Sequence, residues 1–204
     1  MSDRLFFAAA LLIAIILVAL GLLPGFNKLP SGPVSGGGTD YQKIVISGKQ
    51  LNRMVAGGEA DIGLVQAEGR TVLRIEVEAG VLSEDPMLGP HFVLAQDLEV
   101  AFAGRPVRIT VNARAADKYG SEGLRLNYWV GNGVGSGWQD FAMTREFRDV
   151  SFTYDVPARD PGAAPGYDYL ALRPDVPEKQ RAIFVSSITL EPLSPQAAGA
   201  GSTP

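Results

Sequence analysis

Arg125, Asn127 and Trp129 alternate with Leu124, Leu126, Tyr128 and Val130 in the stretch GLRLNYWV. With the period of two of a β-strand, the first three share one face, which is polar apart from an indole. A tryptophan turned toward water is unusual unless something covers it. An open ring of this kind can stack on the C–H face of a sugar, while Asn and Arg supply directional hydrogen bonds to hydroxyls. The alternative is a ring closed over by a loop or set at the sandwich edge. Trp138 opens a strand after the glycine-rich loop 131–137, GNGVGSG. It is either a loop-tip aromatic beside a cleft or a core tryptophan. Tyr167 and Tyr169 follow a second Pro/Gly-rich loop and could line the same end, with at least one of them in the core. Asn112 lies on the polar face of Pro106–Arg114 with Arg108, Thr110 and Arg114, and joins this patch only if both strands belong to one sheet. The candidate ligand-binding set is therefore Trp129, Asn127, Arg125, Trp138, Asn112 and Tyr167.

Other chemistries find little support. His91 is the only histidine and cysteine is absent, so a transition-metal site would rest on carboxylates alone. A Ser-His-Asp triad could use only His91, and no GxSxG elbow accompanies it. The loop 131–137 lacks a GK[ST] ending and no helix is expected after it, which speaks against nucleotide binding. Any two acids could converge in space for glycoside hydrolysis, but no pair is singled out. Glu84 and Asp85, in the turn-like SEDPMLGP, read most simply as solvated. The formal charge of -4 comes without a basic block, so nucleic acid is not an expected partner. No catalytic residue, and hence no enzyme, is expected.

These residues need a scaffold of strands. Clean alternation marks Pro106–Arg114, Gly123–Val130 and Asp149–Val156, each with one wet face, as antiparallel sheets require. Further strands are expected at Lys43–Ser47, Ile62–Gln66, Thr71–Val77, Phe92–Phe102, Trp138–Thr144, Tyr169–Arg173 and Ala182–Glu191. The 24 glycines and 14 prolines suit a chain with many turns. Two packed antiparallel sheets, an all-β sandwich over 41–193, are the economical solution. It is large enough to hold a core without disulfides or metals.

Before this domain, after a short tail at 1–4, residues 5–23 form an uninterrupted apolar run without charge. Nineteen helical residues span about 28 Å, near a bilayer's hydrocarbon thickness. The run reads as a transmembrane signal-anchor helix; a cleaved signal peptide is the alternative, although Leu22 and Leu23 continue past the poor site at Ala19-Leu20-Gly21. Residues 24–40 read as a flexible Pro/Gly/Ser linker and 194–204 as a disordered tail. The expected placement is single-pass in an inner or plasma membrane, with the C-terminal domain periplasmic or extracellular.

The succession GRPVRITVNARAA, LRLNYWV, GWQDFAMTREFRDVSFTYDVP, YDYLALRP and AIFVSSITLEPL resembles the galactose-binding-like jelly roll, in particular the carbohydrate-binding modules appended to xylanases and cellulases. Earlier, GRTVLRIEVEAG is similar to a strand near the start of such modules. The resemblance covers roughly 61–193 and implies a jelly-roll β-sandwich that binds a glycan or polysaccharide. Some members hold a structural calcium through an aspartate where Ser186 and Ser187 stand here. A neutral hydroxyl is a weak calcium ligand, so no cofactor is expected. Phe147 stands where tryptophan is common, a packing change. The expected function is a membrane-tethered, non-catalytic module recognising a glycan at the cell envelope. The alternative is a structural or assembly subunit docking another envelope protein.

Overall fold

The computed structural model describes residues 3–26, 28–37, 41–58, 60–80, 84–131, 133–160, 162, 164, 166–176 and 179–194, with the side chains of the first helix described over 5–20. The tail expected at 194–204 lies outside the described residues after Ser194. The chain divides into two compact units, 1–30 and 31–204.

The first unit holds helix α1, Asp3–Phe26. Among the described residues, no helix is long and apolar enough to cross a membrane. The single-pass membrane placement expected from the sequence is corrected accordingly.

The second unit is mostly antiparallel β. Its elements are β1 (Ile44–Ser47), β2 (Asp61–Ala67), β3 (Arg70–Val77), β4 (His91–Leu94), helix α2 (Gln96–Phe102), β5 (Pro106–Ala115), β6 (Gly123–Val130), β7 (Val134–Gly135), β8 (Gln139–Ala142), β9 (Arg148–Asp155), β10 (Asp168–Pro174) and β11 (Arg181–Pro192). One sheet has the order β2-β3-β11-β5-β9, and β1 also pairs with β11. The other has the order β4-β10-β6-β7, and β8 also pairs with β6. Inward residues of both sheets meet in one core. Val107, Ile109 and Val111 of β5 and Ile183, Val185, Ile188 and Leu190 of β11 face Leu124, Leu126 and Tyr128 of β6 and Leu170 and Leu172 of β10. A bulge between Val185 and Ser187 explains why the inward set of β11 steps from odd to even numbers. The freed Ser186 hydroxyl donates to the Asn112 backbone oxygen at 3.3 Å and also bonds the Asn112 side-chain oxygen.

The strand expected over Phe92–Phe102 is two elements. Only His91–Leu94 is extended, and 96–102 turns into α2. Leu98 and Phe102, four residues apart, are both fully buried, which a helix achieves by placing i and i+4 on one face. Asp97 and Glu99 lie in the first turn, where the helix dipole favours negative charge. Asp97 also accepts bonds from the Ser35 hydroxyl at 2.7 Å and the Gly36 N–H at 2.9 Å.

The stretch read as linker contributes to the core. Val34 is buried and bridges to Leu94, with its N–H donating to Val93 O and its carbonyl accepting from Ala95 N–H, both at 2.8 Å.

Candidate functional site

The outer face of the β4-β10-β6 sheet gathers the chemistry. Antiparallel pairing sets Tyr169 opposite Trp129, Ala171 opposite Asn127 and Arg173 opposite Arg125. On the other side of β10, Val93 stands opposite Tyr169 and His91 opposite Ala171. Period two points all of these away from the core, because Leu124, Leu126, Leu170 and Leu172 between them point inward. Gly135 of β7 pairs with Trp129. A Cβ at Gly135 would stand 2.9 Å from the Trp129 ring at Cε3, so the bare glycine is what lets the indole lie across the β7 edge.

One end of the face is aromatic. Trp129 and Tyr169 are half-buried, and Tyr167, just before β10, is exposed. The backbone of Tyr167 lies against Gly131, where a Cβ would come within 2.7 Å of the Tyr167 carbonyl oxygen. His91 meets Tyr169 edge-on, with ring centroids 5.7 Å apart. The His91 ring is fixed by its Nδ1, 2.8 Å from Gly89 O. A carbonyl can only accept, so Nδ1 carries the proton in that bond.

The other end is charged. The Arg173 guanidinium lies 4.0 Å from the centre of the Trp138 ring, and Arg125 lies 5.2 Å from it. Trp138 Nε1 donates to the backbone carbonyl of Glu84 at 3.0 Å. Glu84 Oε1 receives both Arg125 and Arg173 at 3.3 Å, and Asp140 Oδ1 receives Arg125 Nε at 2.8 Å. Burial opposes the Arg125 charge, but Asp140 and Glu84 outweigh it and hold its pKa above the usual arginine range. Burial and then the Arg125 charge pull Arg173 the other way, against Glu84 and Asp175.

The middle of the face is closed. Asn127 there is 3% exposed, and Arg173, at the charged end, is closed too at 1%. Ser136 clamps this region, its hydroxyl accepting from the Tyr128 N–H at 3.0 Å and donating to Gly137 O at 2.9 Å. On the core side of the same strands, Tyr128 donates to the buried Asp168 at 2.7 Å. Burial pushes the Asp168 carboxyl up, opposed by the Tyr128 bond and the Gly131 N–H. It pushes the Tyr128 hydroxyl well up too, with the Asp168 charge adding to it. Asp168 also lines a cavity of about 470 Å³ at one end of the sandwich, with Glu99, Gly131 and Arg159.

Of the residues singled out in the sequence, Trp129, Asn127 and Arg125 do share one outward face, and Trp138 lies beside Arg125. Asn112 is in the other sheet, where its side-chain amide donates to Asp149 Oδ1 at 2.7 Å. Sequence reasoning passed over Arg173; it read Glu84 as solvated, and Glu84 is exposed, but its pairing with Arg125 and Arg173 was not anticipated. The alternation of β10 carried the signal for Arg173, since 167, 169, 171 and 173 share a parity. Nothing local ties Glu84 to strands 41 and 89 residues away.

No protein-family model matches the chain, and no curated protein matches it. Solved structures do resemble it. The CBM22-1 xylan-binding domain from Paenibacillus barcinonensis Xyn10C superposes with a TM-score of 0.52 at 14% identity, over 75% of this chain and 95% of that one. The domain has the jelly-roll fold of carbohydrate-binding modules. The CBM22-1-CBM22-2 tandem domain of the same Xyn10C matches with a TM-score of 0.50 at 15% identity, over 74% of this chain and 44% of that one. An arabinose-bound α-L-arabinofuranosidase matches at 0.50 and 11% identity, over 73% of this chain and 24% of that one. At such identities, the shared jelly roll is a statement about fold.

Proposed function

We propose that the jelly roll is a non-catalytic glycan-binding module whose ligand lies across the outer faces of β6 and β10. Trp129 and Tyr169 serve as its stacking surfaces, Tyr167 extends them, and Arg125 and Asp140 bond hydroxyls. The observation that carries this reading is the Trp129–Tyr169 pair, two part-exposed rings directly opposite each other on one sheet face. Adjacent rings of this kind suit a chain of sugars, each offering an apolar C–H face between polar edges. The fold it shares with a xylan-binding domain supports the same reading. A docking subunit would instead favour a flat apolar patch, whereas this face sets its rings beside the charged Arg125 and Asp140.

A broad glycan array probed with the full chain tests it. Wild type should be retained on at least one polysaccharide. Trp129→Ala should weaken that retention about tenfold, the scale of one lost aromatic stack, with thermal stability nearly unchanged. A large loss of stability in the variant, with no glycan bound by the wild type, would sink the reading.

A further inference from the structure

The charged end of the platform formed by the outer faces of β6 and β10 carries an aromatic ring of its own. Arg125 and Arg173 stand opposite each other on these strands, so both guanidinium groups reach Trp138 from the sheet side, at 5.2 and 4.0 Å from the centre of its ring. Arg173 beneath it is 1% exposed, whereas Trp138 keeps part of its surface open. The indole therefore covers the cation with one face and turns the other away from the sheet. Its rotation is fixed as well, because Nε1 donates to the Glu84 carbonyl at 3.0 Å. A cation under the ring and a hydrogen bond at its edge hold Trp138 in place before any ligand arrives, which lowers the ordering cost of binding. Two exposed carboxylates, Glu84 and Asp140, flank it through their contacts with Arg125.

Trp129 and Tyr169 are the part-open rings at the other end. Arg125 and Trp129 are four residues apart on β6, about 13 Å at 3.3 Å per residue. Between the two ends, Asn127, Ala171 and His91 are buried, so their side chains offer a sugar chain few bonds. Resting on the glycan reading above, we propose that Trp138 is a second stacking surface for the same glycan, and that the module selects chains long enough to lie lengthwise along β6 from Trp129 to Trp138. Glu84 and Asp140 accept from hydroxyls of the sugar that rests on Trp138. Two contacts joined by one chain reinforce each other, and a fragment that covers only Trp129 and Tyr169 forgoes that gain.

The test titrates the full chain calorimetrically with xylan, cellulose and mannan fragments of two and six sugars, or with the same lengths cut from whichever polysaccharide the array retains. Six sugars should bind about tenfold tighter than two, the scale of one added aromatic stack. Trp138→Ala should erase that gain and leave the two-sugar affinity unchanged. Trp138→Phe, which keeps a ring but not the Nε1 bond, should restore most of it, with the melting temperatures of both variants measured alongside. A third variant leaves Trp138 untouched. Trp129→Phe keeps a ring at the first site and makes Trp138 the only tryptophan of the two in the sequence, so the six-sugar fragment should shift its fluorescence. Fragments of two and six sugars that bind alike, or a six-sugar fragment that binds Trp138→Ala as tightly as wild type or leaves the Trp138 fluorescence unmoved, overturn the second stacking surface and leave the glycan reading standing. No binding of wild type to any fragment or to any polysaccharide on the array overturns both.

Discussion

One position along β6 separates two chemistries. Trp129 faces out and Tyr128 faces the core, where its hydroxyl holds the buried Asp168. A carboxyl whose pKa is raised by burial binds its proton more tightly folded than unfolded. The unfolded chain then carries fewer protons, and stability falls as pH rises from the unfolded value, about 3.9, through the higher folded one. Asp168→Asn keeps an acceptor for the Tyr128 hydroxyl and removes the titration. The variant's melting temperature relative to wild type should therefore climb as pH rises from about 3.5, and level off above the folded pKa. Calorimetry across pH 3.5–7 measures that gap; a gap independent of pH would show that Asp168 does not titrate against its burial. Parity made the faces of these residues legible in the sequence. It could not reveal that Asn127, on the outward face, is closed over. That depends on Ser136 and on how the chain beyond β6 folds back.

Elements were legible where alternation was clean. β5, β6 and β9 match their expected ranges to within a residue because each carries polar and apolar residues in strict turn. The sequence FVLAQDLEVAF fits two periods at once, since Leu98, Val100 and Phe102 alternate while Leu98 and Phe102 are also four apart. The structure decides between them at Val100. It is 55% exposed, as a helix demands, where a strand would have buried it beside its neighbours. Sheet membership is a further level that alternation does not reach, and it separates Asn112 from the platform. Asn112→Ala should lower stability by about 0.5–1.5 kcal/mol through the lost bond to Asp149, and leave glycan retention unchanged. A loss of retention would mean that the ligand also engages the other sheet. Gly135→Ala makes the opposite test. Its Cβ would meet Trp129 Cε3 and the Tyr128 carbonyl oxygen, each at 2.9 Å, so the indole and the β7 edge must shift. It should cost about 1–3 kcal/mol, typical of overpacking, and weaken glycan binding together with a change in tryptophan fluorescence. Unaltered fluorescence and binding would show that Gly135 does not set the ring.

At the scale of the molecule, the fold joins pieces that no local pattern connects. β11 closes the first sheet by pairing with β3, β5 and β1, and β10 closes the second between β4 and β6. Composition and strand spacing were enough to expect a sandwich, but they left 24–40 as a linker. A Pro/Gly/Ser-rich stretch hides how much one buried valine can organise. Val34 fills a core position and extends the β4 edge, while Ser35 and Gly36 bond Asp97 at the start of α2. Arg53 holds the same segment from the other side, donating to Ser31 O at 3.0 Å and to Pro33 O at 2.9 Å. The cooperative unit therefore begins near Ser31, where the chain also divides by compactness. A fragment starting at Ser31 should melt at the temperature of the sandwich in the full chain. One starting at Tyr41 should be less stable by about 2–4 kcal/mol, from exposing the Val34 cavity and orphaning its backbone partners. Urea unfolding of the two fragments distinguishes these outcomes. Equal midpoints would mean that Ser31–Gly37 rests on the domain without stabilising it.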